Sequence, residues 1–424
     1  MLTAARRALL ANIYPAWFWD FRGLALPPGS TFARASSAWA FNAAGVLTSY
    51  GSNVARYGYD SAGNCIGYLS EVQSTNGIRN NSMTGASAGT LPTNWSYTDR
   101  SGLSHTYVGP GVEDGIPYYD IRIFGTTTSS GSNASLLSCE QSGQIAAASG
   151  VTMTASSFMR VVGGSLANFT PVIAAAGFNG SGSIVDGSAS SIAPTTAALR
   201  LQRFKQTTTF ANAGTASCSF MLWGSWASGV AIDVTLRIGA PQMEQLGDAT
   251  SPILTTSGAL SRAGDSLTLP VSAISGWDGT RGGIMVASFR LAAKTGAVQR
   301  AFILDDGNGN SQNAVSLVAA LTASSIIAGR VYSGGVSQSA PNSASSPTVG
   351  TRTKAAISWG SSRIALFQDG TLLLGNSGSY TLPSGLTTLR IGTSSTGEGL
   401  NGYLDTLAYY PSDRADAYAQ QVTR

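Results

Sequence analysis

Residues 353–374 read TKAAISWGSSRIALFQDGTLLL, and they decide the fold of this chain. Each apolar run is too short for a helix and is rich in residues that suit a pleated, half-buried strand. The pair Asp369-Gly370 separates two of the runs, and an Asp-Gly pair supplies the positive φ angles that a tight hairpin requires. The stretch therefore predicts antiparallel strands joined by short turns.

The same pattern extends over most of the chain. β-Branched and aromatic residues alternate with small polar ones in short runs, for example at 118–125, 231–239, 283–291 and 402–410. Helical periodicity is nearly absent, apart from a short final helix predicted over Asp413–Thr423, which Ser412 could cap. Gly, Asn and Asp turns at this spacing are typical of β-sandwiches and barrels, so the sequence predicts an all-β protein.

Composition excludes several classes of function. The 424 residues carry a net charge of +4 and only 11% charged side chains, so no concentrated basic surface for nucleic acid is expected. His105 is the single histidine and the three cysteines are far apart, which excludes within one chain a structural zinc site of four cysteines, or of two cysteines and two histidines. The longest apolar-leaning run, 314–329, is shorter than the roughly 20 residues of a membrane-spanning helix. We therefore expect neither nucleic-acid binding nor membrane insertion.

The first 22 residues stand apart in composition. A short helix is predicted over 2–13, with Leu9, Leu10 and Ile13 among its apolar residues, and Pro15 ends it. Five aromatic side chains follow: Tyr14, Trp17, Phe18, Trp19 and Phe21. One interpretation packs this segment on the core of its own chain, and the other buries it in another subunit as an anchor. The sequence leaves both interpretations open.

Three stretches resemble virion proteins of bacteriophages. Residues 32–82 carry F-x-R-x-S, G-V-L, A-R-x-x-Y-D, G-x-L-x-E and T-N with N-S, and they resemble a recurrent N-terminal element of those proteins. Residues 238–265 carry Q-M-E, A-T-S and R-x-x-D and look like the end of a carbohydrate-binding-module-like jelly roll. Residues 355–423 resemble the end of a concanavalin A-like, laminin-G-type sandwich.

This resemblance implies two β-sandwich domains behind an N-terminal region. Residues 1–70 would anchor the protein in the virion, 71–250 would form the jelly roll and 265–424 the concanavalin A-like sandwich. The turn-rich run 251–264 would be the linker.

The same resemblance implies a place on the surface of the phage particle. The protein would be a head or tail fibre or spike that contacts other virion proteins through its N-terminus and binds host surface polysaccharide. Related fibre proteins are commonly trimeric, so a homotrimer is expected. None of the motifs carries a catalytic residue.

Two alternatives stand beside this interpretation: a purely structural capsid decoration or tail adaptor protein, and a glycan depolymerase. A glycosidase needs two carboxyl groups about 5–9.5 Å apart around the bond that it cleaves. Glu113 and Asp114 are adjacent, would point to opposite faces of a strand, and are expected in a solvated loop. Glu71 and Glu244 lie within the recurrent motifs and are expected to bond backbone groups where chain segments cross. The sequence therefore predicts a protein that is not an enzyme.

One weak candidate for a calcium site is present. Asp305, Asp306, Asn308 and Asn310 could supply oxygen ligands, but Ser311 stands where an EF-hand loop requires glycine. The alternative is a hairpin turn between the apolar runs on either side, which is the interpretation that the Asp-Gly and Asn-Gly pairs favour. No other metal and no organic cofactor is expected.

Aromatic residues in polar stretches are the candidates for glycan contact, because the apolar face of a sugar stacks on an aromatic ring. The main candidate is the turn SGWDGTRGG, in which Trp277, Asp278 and Arg281 could meet one sugar. Other candidates are Trp95, Tyr97, Tyr118 and Tyr119. Aromatic residues within predicted strands, expected in the core, are Phe220, Trp223 and Trp359. For every candidate, packing or a subunit contact is the competing explanation.

Overall fold

A computed structural model describes residues 14–321, 326–343, 346–411 and 416–424. Within these residues nearly all regular structure is β-strand, which confirms the all-β prediction. The helix expected over 2–13, with Leu9, Leu10 and Ile13, lies outside the described residues, as does Ser412. The predicted C-terminal helix is present as α1, Asp416–Val422. In the part of the chain that is described, no helix has both the length and the apolar character to span a membrane.

The strands follow one another at short intervals. The first ten are β1 (Trp17–Asp20), β2 (Thr31–Ala33), β3 (Ala38–Phe41), β4 (Leu47–Tyr50), β5 (Arg56–Tyr59), β6 (Cys65–Ser70), β7 (Ser74–Asn76), β8 (Ser96–Tyr97), β9 (Ser104–Glu113) and β10 (Ile116–Thr126). The next ten are β11 (Gly131–Ser138), β12 (Ile145–Ala146), β13 (Thr152–Ser165), β14 (Thr170–Phe178), β15 (Ile184–Ser191), β16 (Arg203–Thr209), β17 (Ser217–Trp226), β18 (Ala231–Glu244), β19 (Leu260–Arg262) and β20 (Ser266–Pro270). The last are β21 (Gly283–Leu291), β22 (Gln299–Asp305), β23 (Ala314–Ala320), β24 (Ala328–Ser333), β25 (Val336–Ser339), β26 (Thr353–Trp359), β27 (Arg363–Gln368), β28 (Thr371–Ser377), β29 (Thr388–Ile391) and β30 (Gly402–Pro411). Single 3-10 turns occur at Phe21–Gly23, Leu199–Leu201 and Val271–Ala273.

The described residues form two compact units, whose bounds differ from the predicted regions 1–70, 71–250 and 265–424. The first unit contains residues 14–35 and 50–73 together with the described part of 263–424, and the second contains 36–49 and 74–262. The N-terminal region is not a separate body, because β1 and β6 both pair with β30 in a sheet of the first unit. Backbone pairing over long sequence distances therefore sets the division.

The first unit is a sandwich of antiparallel sheets. One sheet has the order β28-β27-β26-β21-β30-β6-β5, with β1 added on β30, and we call it the β30 sheet. The other has the order β2-β20-β29-β22-β23-β24-β25. Inward side chains of both sheets, among them Phe289, Phe302 and Leu366, share one hydrophobic core.

The second unit is also a sandwich. One of its sheets has the order β16-β13-β18-β10-β9, and the other, which we call the β17 sheet, has the order β15-β14-β17-β11-β8 with β12 also on β17. Their shared core contains Ile121, Met159 and Phe220. Both units thus confirm the predicted β-sandwich fold class.

Turns predicted from sequence are found where the pattern places them. Asp369 (φ 46°) and Gly370 (φ 81°) connect β27 to β28, and both angles suit a two-residue hairpin turn. Asp305 at the end of β22 lies opposite Ala314 at the start of β23, so the residues between them form a hairpin loop. Local chemistry is therefore sufficient to determine these connections.

Four motif residues of the first unit meet in a buried cluster, which we call the ionic cluster. Asp265 accepts hydrogen bonds from Arg34 Nη1 at 3.0 Å and from Arg56 Nη2 at 2.7 Å. Arg56 Nη1 lies 2.8 Å from Glu71 Oε2, so the Glu71 carboxylate forms an ion pair with this guanidinium. No side chain of the cluster is more than 4% exposed. These motif residues hold chain segments together and form no surface site.

In the second unit, side chains of motif residues hold in place the segment 251–264, which the sequence predicted to be a linker. The side-chain amides of Asn76 and Asn81 both donate to the carbonyl of Ile253 at 3.0 Å. Glu244 Oε2 accepts the backbone N–H of Thr250 at 3.0 Å, as predicted for a carboxylate at a chain crossing. Residues 251–262 therefore belong to the second unit and are not a free linker.

Candidate functional site

The five N-terminal aromatic side chains divide into two sets. Trp17 and Phe21 are buried in the core of the first unit, and Trp19 packs against that core. Tyr14 and Phe18 are 66% and 52% exposed. Alternation along β1 explains the division, because Trp17 and Trp19 face inward and Phe18 faces outward. The packing interpretation holds for the buried set, and only Tyr14 and Phe18 are free to contact another subunit.

The main glycan candidates lie together in one turn of the first unit. The Trp277 indole packs against the rings of Trp359 and Tyr409, with centroids 6.5 and 5.1 Å away, and is half-buried. Asp278 Oδ2 lies 3.3 Å from Arg281 Nε, and the arginine side chain is 76% exposed. The turn thus joins a partly covered indole to an exposed ion pair.

Trp277→Ala is expected to lower the free energy of unfolding of the first unit by about 2 kcal/mol, roughly half the cost for a fully buried tryptophan. The reason is that part of the indole completes the core beside Trp359 and Tyr409. Urea unfolding of the full chain measures the loss. Unchanged stability with weaker glycan binding would instead assign the indole to a sugar.

Two further candidates are core residues, which corrects the expectation that they contact sugar. Trp95 is 7% exposed, and its Nε1 donates to the carbonyl of Asn80 at 2.8 Å. Tyr119 is fully buried, and its hydroxyl donates to the carbonyls of Ser87 and Thr90 at 2.9 and 2.8 Å. A ring in either position has no face open to a ligand.

Tyr97 and Tyr118 are half-buried and are engaged within the second unit. The Tyr97 ring lies 4.6 Å from the His105 ring, and burial raises the pKa of its hydroxyl. The Arg237 guanidinium covers the Tyr118 ring at 3.5 Å from its centroid. Each ring is therefore in contact with a side chain of its own unit.

The calcium candidates lie in the loop between β22 and β23, where the oxygens of their carboxylates are already in use. Asp305 Oδ2 accepts a hydrogen bond from Arg390 Nε at 2.6 Å, and Asp306 Oδ1 accepts the N–H of Asn308 at 2.9 Å. The Asn310 amide donates to the side chains of Thr396 and Glu398 in the connection between β29 and β30. Among the described residues, no three His, Cys, Asp or Glu side chains are placed to hold a metal ion.

Glu113 is not a solvated loop carboxylate, contrary to expectation. It ends β9, and its oxygens accept hydrogen bonds from Arg160 at 2.6 Å, from Arg237 at 2.5 Å and from the N–H of Leu199 at 2.9 Å. Burial opposes its ionisation, but these donors hold its pKa below the usual value. The other glutamates are also bonded within their own units: Glu71 to Arg56, Glu140 to Arg79, Glu244 to Thr250 and Glu398 to Arg300.

Trp223 is an aromatic residue that the sequence analysis placed in the core. In β17, Phe220 and Leu222 face the core, whereas Met221 and Trp223 lie on the opposite face. The expectation of a buried side chain is correct for Phe220 and Trp359, but it is wrong for Trp223, which is only half-buried. The sequence contains this information. Successive side chains of a strand point to opposite faces, so residues 220 and 223, three positions apart, cannot both face the core.

Most neighbours of Trp223 on this outer face of the β17 sheet are smaller than the indole. Trp223 lies between Ser135 of β11 and Val172 of β14, and Met221 lies between Ala174 of β14 and Ser138 of β11. Trp223, Met221 and Phe178 are the large side chains of the apolar cluster on this face.

An open pocket of about 390 Å³ is lined by Ser135 and Met221, the neighbours of Trp223, but not by Trp223 itself. We call it the hydroxyl pocket, because its polar lining includes Ser96, Thr98, Ser135 and Ser142, with Met221 and Phe178 as its apolar part. None of these four hydroxyl groups hydrogen-bonds to another described residue. Glu140 also lines the pocket, but Arg79 engages both of its carboxylate oxygens. The exposed polar groups of the pocket are therefore uncharged.

No family model and no curated protein matches this chain. Among solved structures it is similar to the CBM40 module of the Ruminococcus gnavus IT-sialidase bound to α2,3-sialyllactose, with 14% identity over 34% of this chain and 84% of that chain, at a TM-score of 0.29. It is similar to domain 4 of a GH43 arabinanase from Geobacillus stearothermophilus, with 11% identity over 42% and 81% at 0.30. Mouse laminin α1 domains LG4-5 match with 10% identity over 63% and 82% at 0.21. These likenesses concern the β-sandwich fold alone.

Proposed function

We propose that this protein is a non-catalytic component of a bacteriophage particle, a head or tail fibre or spike, that binds glycan on the host surface. The observation that carries glycan binding is the hydroxyl pocket beside Trp223. Sugar recognition combines an aromatic face with a few directed hydrogen bonds, and this face of the second unit supplies both.

The chemistry of the pocket favours an uncharged sugar. Hydroxyl groups of serine and threonine donate and accept hydrogen bonds, so they match the hydroxyl groups of a pyranose ring. Met221 and Phe178 offer an apolar floor for the C–H groups of the ring. Because Glu140 is neutralised by Arg79, no exposed charge in the lining selects for an ionic ligand.

The engaged carboxylates support a binding role rather than depolymerase activity. A glycoside hydrolase keeps one carboxyl group as an acid and another as a base or nucleophile beside the substrate. Each glutamate of this chain is held in an ion pair or in hydrogen bonds with its own unit. A glutamate recruited to catalysis would first have to leave those partners.

The virion role rests on the resemblance of the motifs, whose residues recur here as the ionic cluster and as the Asn76 and Asn81 contacts. Such buried residues act in folding, so they support a shared architecture. Exposed Tyr14 and Phe18 offer the surface for neighbouring virion proteins or for the homotrimer that we propose. The same exposed pair favours the second candidate, a structural decoration or adaptor protein without a ligand.

Trp223→Ala is expected to weaken glycan binding by about 1–3 kcal/mol, or roughly fivefold to 150-fold in Kd, because one stacking platform is lost. The protein should remain folded, since Trp223 lies outside the main core of the second unit. Binding of the purified chain to a panel of bacterial surface polysaccharides measures the effect.

Val112→Ala is the matched control, because Val112 is a 69% exposed apolar residue of the same unit on β9. It should leave Kd unchanged. Failure of the unmodified chain to bind any glycan of the panel would favour the structural decoration or adaptor role, and equal Kd values for the two variants would remove Trp223 from the site.

A further inference from the structure

A bulge in β30 places Asp405 on the outer face of the β30 sheet. Ser288 of β21 pairs with Thr406, and Phe289 pairs with Leu404, so Asp405 has no partner in this register. Phe289 and Leu404 face the core, whereas Ser288 Oγ lies 3.4 Å from Asp405 Oδ2 on the opposite face. Bulges are frequent beside functional sites, where they redirect a side chain.

Two arginine side chains face the redirected carboxyl group. Arg352 Nε lies 3.3 Å from Asp405 Oδ2 and donates to Ser288 Oγ at 2.8 Å. Arg290 Nη2 lies 3.7 Å from the same carboxylate oxygen, too far for a good hydrogen bond. The arginine side chains are 27% (Arg290) and 48% (Arg352) exposed, so solvent or a ligand can reach both guanidinium groups.

Polar atoms of this group are buried without a hydrogen-bond partner. Within the described residues, Asp405 Oδ1 receives no donor and Arg290 Nε finds no acceptor, although the Asp405 side chain is only 1% exposed. Buried polar groups in folded proteins are nearly always hydrogen-bonded, so each exception needs an explanation. An acceptor without a donor and a donor without an acceptor at one place fit a ligand that carries both kinds of group.

The charged side chains in and around this group have a net positive charge. Arg22, Arg290 and Arg352 act on this region together with Asp20 and Asp405, which leaves one positive charge in excess. Arg22 is held by Asp20 at 2.6 Å, so Arg290 and Arg352 are the cations left for a ligand. Burial raises the pKa of Asp405 despite both arginines.

We propose that Asp405, Arg290 and Arg352 form a binding site for a carboxylate-bearing sugar. The sugar carboxylate would accept hydrogen bonds from the two guanidinium groups, whose planar forks match its geometry. A neighbouring sugar hydroxyl would donate to Asp405 Oδ1. The site lies in the first unit, so it is independent of Trp223 and extends the ligand class from neutral to acidic sugars.

The test is titration of the full chain with an oligoglucuronate, with a glucose oligomer of equal length and inorganic phosphate as parallel probes. The oligoglucuronate should bind, and Arg290→Gln should weaken it about tenfold to hundredfold, the scale of losing charge-assisted hydrogen bonds. Arg352→Gln should also weaken it, and rising salt should weaken it further. The glucose oligomer should bind this site at least tenfold more weakly.

Arg122→Gln is the control, because Arg122 is an exposed ion-paired arginine of the second unit. It should leave the affinity for oligoglucuronate unchanged. Phosphate that binds as tightly as the oligoglucuronate would reduce the site to a general anion site and overturn the sugar assignment. Absence of oligoglucuronate binding, or equal binding by wild type and both folded glutamine variants, would overturn the whole proposal, whereas the Trp223 variant would still test the neutral-sugar site separately.

Discussion

Asp265→Asn should lower the free energy of unfolding of the first unit by about 3–5 kcal/mol, the cost of breaking a buried ion pair by removing one partner. Asp265 accepts hydrogen bonds from Arg34, from Arg56 and from the N–H of Glu71. An asparagine amide would turn one acceptor into a donor that faces donors. It would also leave two buried guanidinium groups with the charge of Glu71 alone.

The electrostatics of Arg56 explain why the loss should be large. Burial alone would lower the pKa of this guanidinium, but the carboxylates of Asp265 and Glu71 outweigh burial and raise it above the ordinary value. The cluster is therefore stable only as a whole, and each charge depends on the others.

Asp233→Asn is the matched control for this substitution. Asp233 pairs with Arg122 at 2.8 Å, but the side chains are 55% and 45% exposed, so water replaces the lost contact. Urea unfolding of the full chain, followed by tryptophan fluorescence, should show a lower midpoint for Asp265→Asn and no resolved change for Asp233→Asn. Equal midpoints would contradict a stabilising role for the ionic cluster.

Phe21→Ala should cost about 3–5 kcal/mol of stability, because it leaves a cavity in the core of the first unit. Phe21 has no exposed surface, and its ring lies 5.8 Å from that of Tyr68. Thermal unfolding of the purified chain measures the loss. A Tm that stays within error of the wild type would exclude Phe21 from the core.

Phe18→Ala is the counterpart three residues earlier. Because Phe18 is 52% exposed, its removal should leave the Tm unchanged and should reduce incorporation into particles if this surface contacts other virion proteins. Deleting residues 1–22 would not separate these effects, since it removes β1 and Phe21 from the first unit. Normal incorporation of a folded Phe18→Ala, Tyr14→Ala double variant would contradict the anchoring role of the exposed pair.

The sequence alone was enough to predict the fold class and several of the turns that connect strands. Short apolar runs separated by turn residues, as in 353–374, predict strands because each run is too short for a helix and is rich in residues that suit a strand. The Asp369-Gly370 turn was equally predictable, since its positive φ angles are a local property of those residues. The exclusion of zinc sites of cysteine and histidine also needed only the composition.

Contacts between distant segments were decided by the tertiary structure. Arg34, Arg56, Glu71 and Asp265 are recognisable as motif residues, but nothing in their spacing states that they pair with one another. Trp17 and Phe21 are core residues because β1 adds to β30, nearly 400 positions along the chain.

The sequence is likewise insufficient to predict the candidate sites. The spacing of Phe220 and Trp223 predicts that they point to opposite faces of β17. It does not predict which of the two faces is covered by a second sheet. Asp405 reads as an ordinary strand residue until the pairing of β30 with β21 reveals the bulge. Periodicity in a sequence gives the relative orientation of neighbouring side chains, whereas exposure and unpaired buried atoms depend on which distant strands pack together, and that is a property of the folded chain alone.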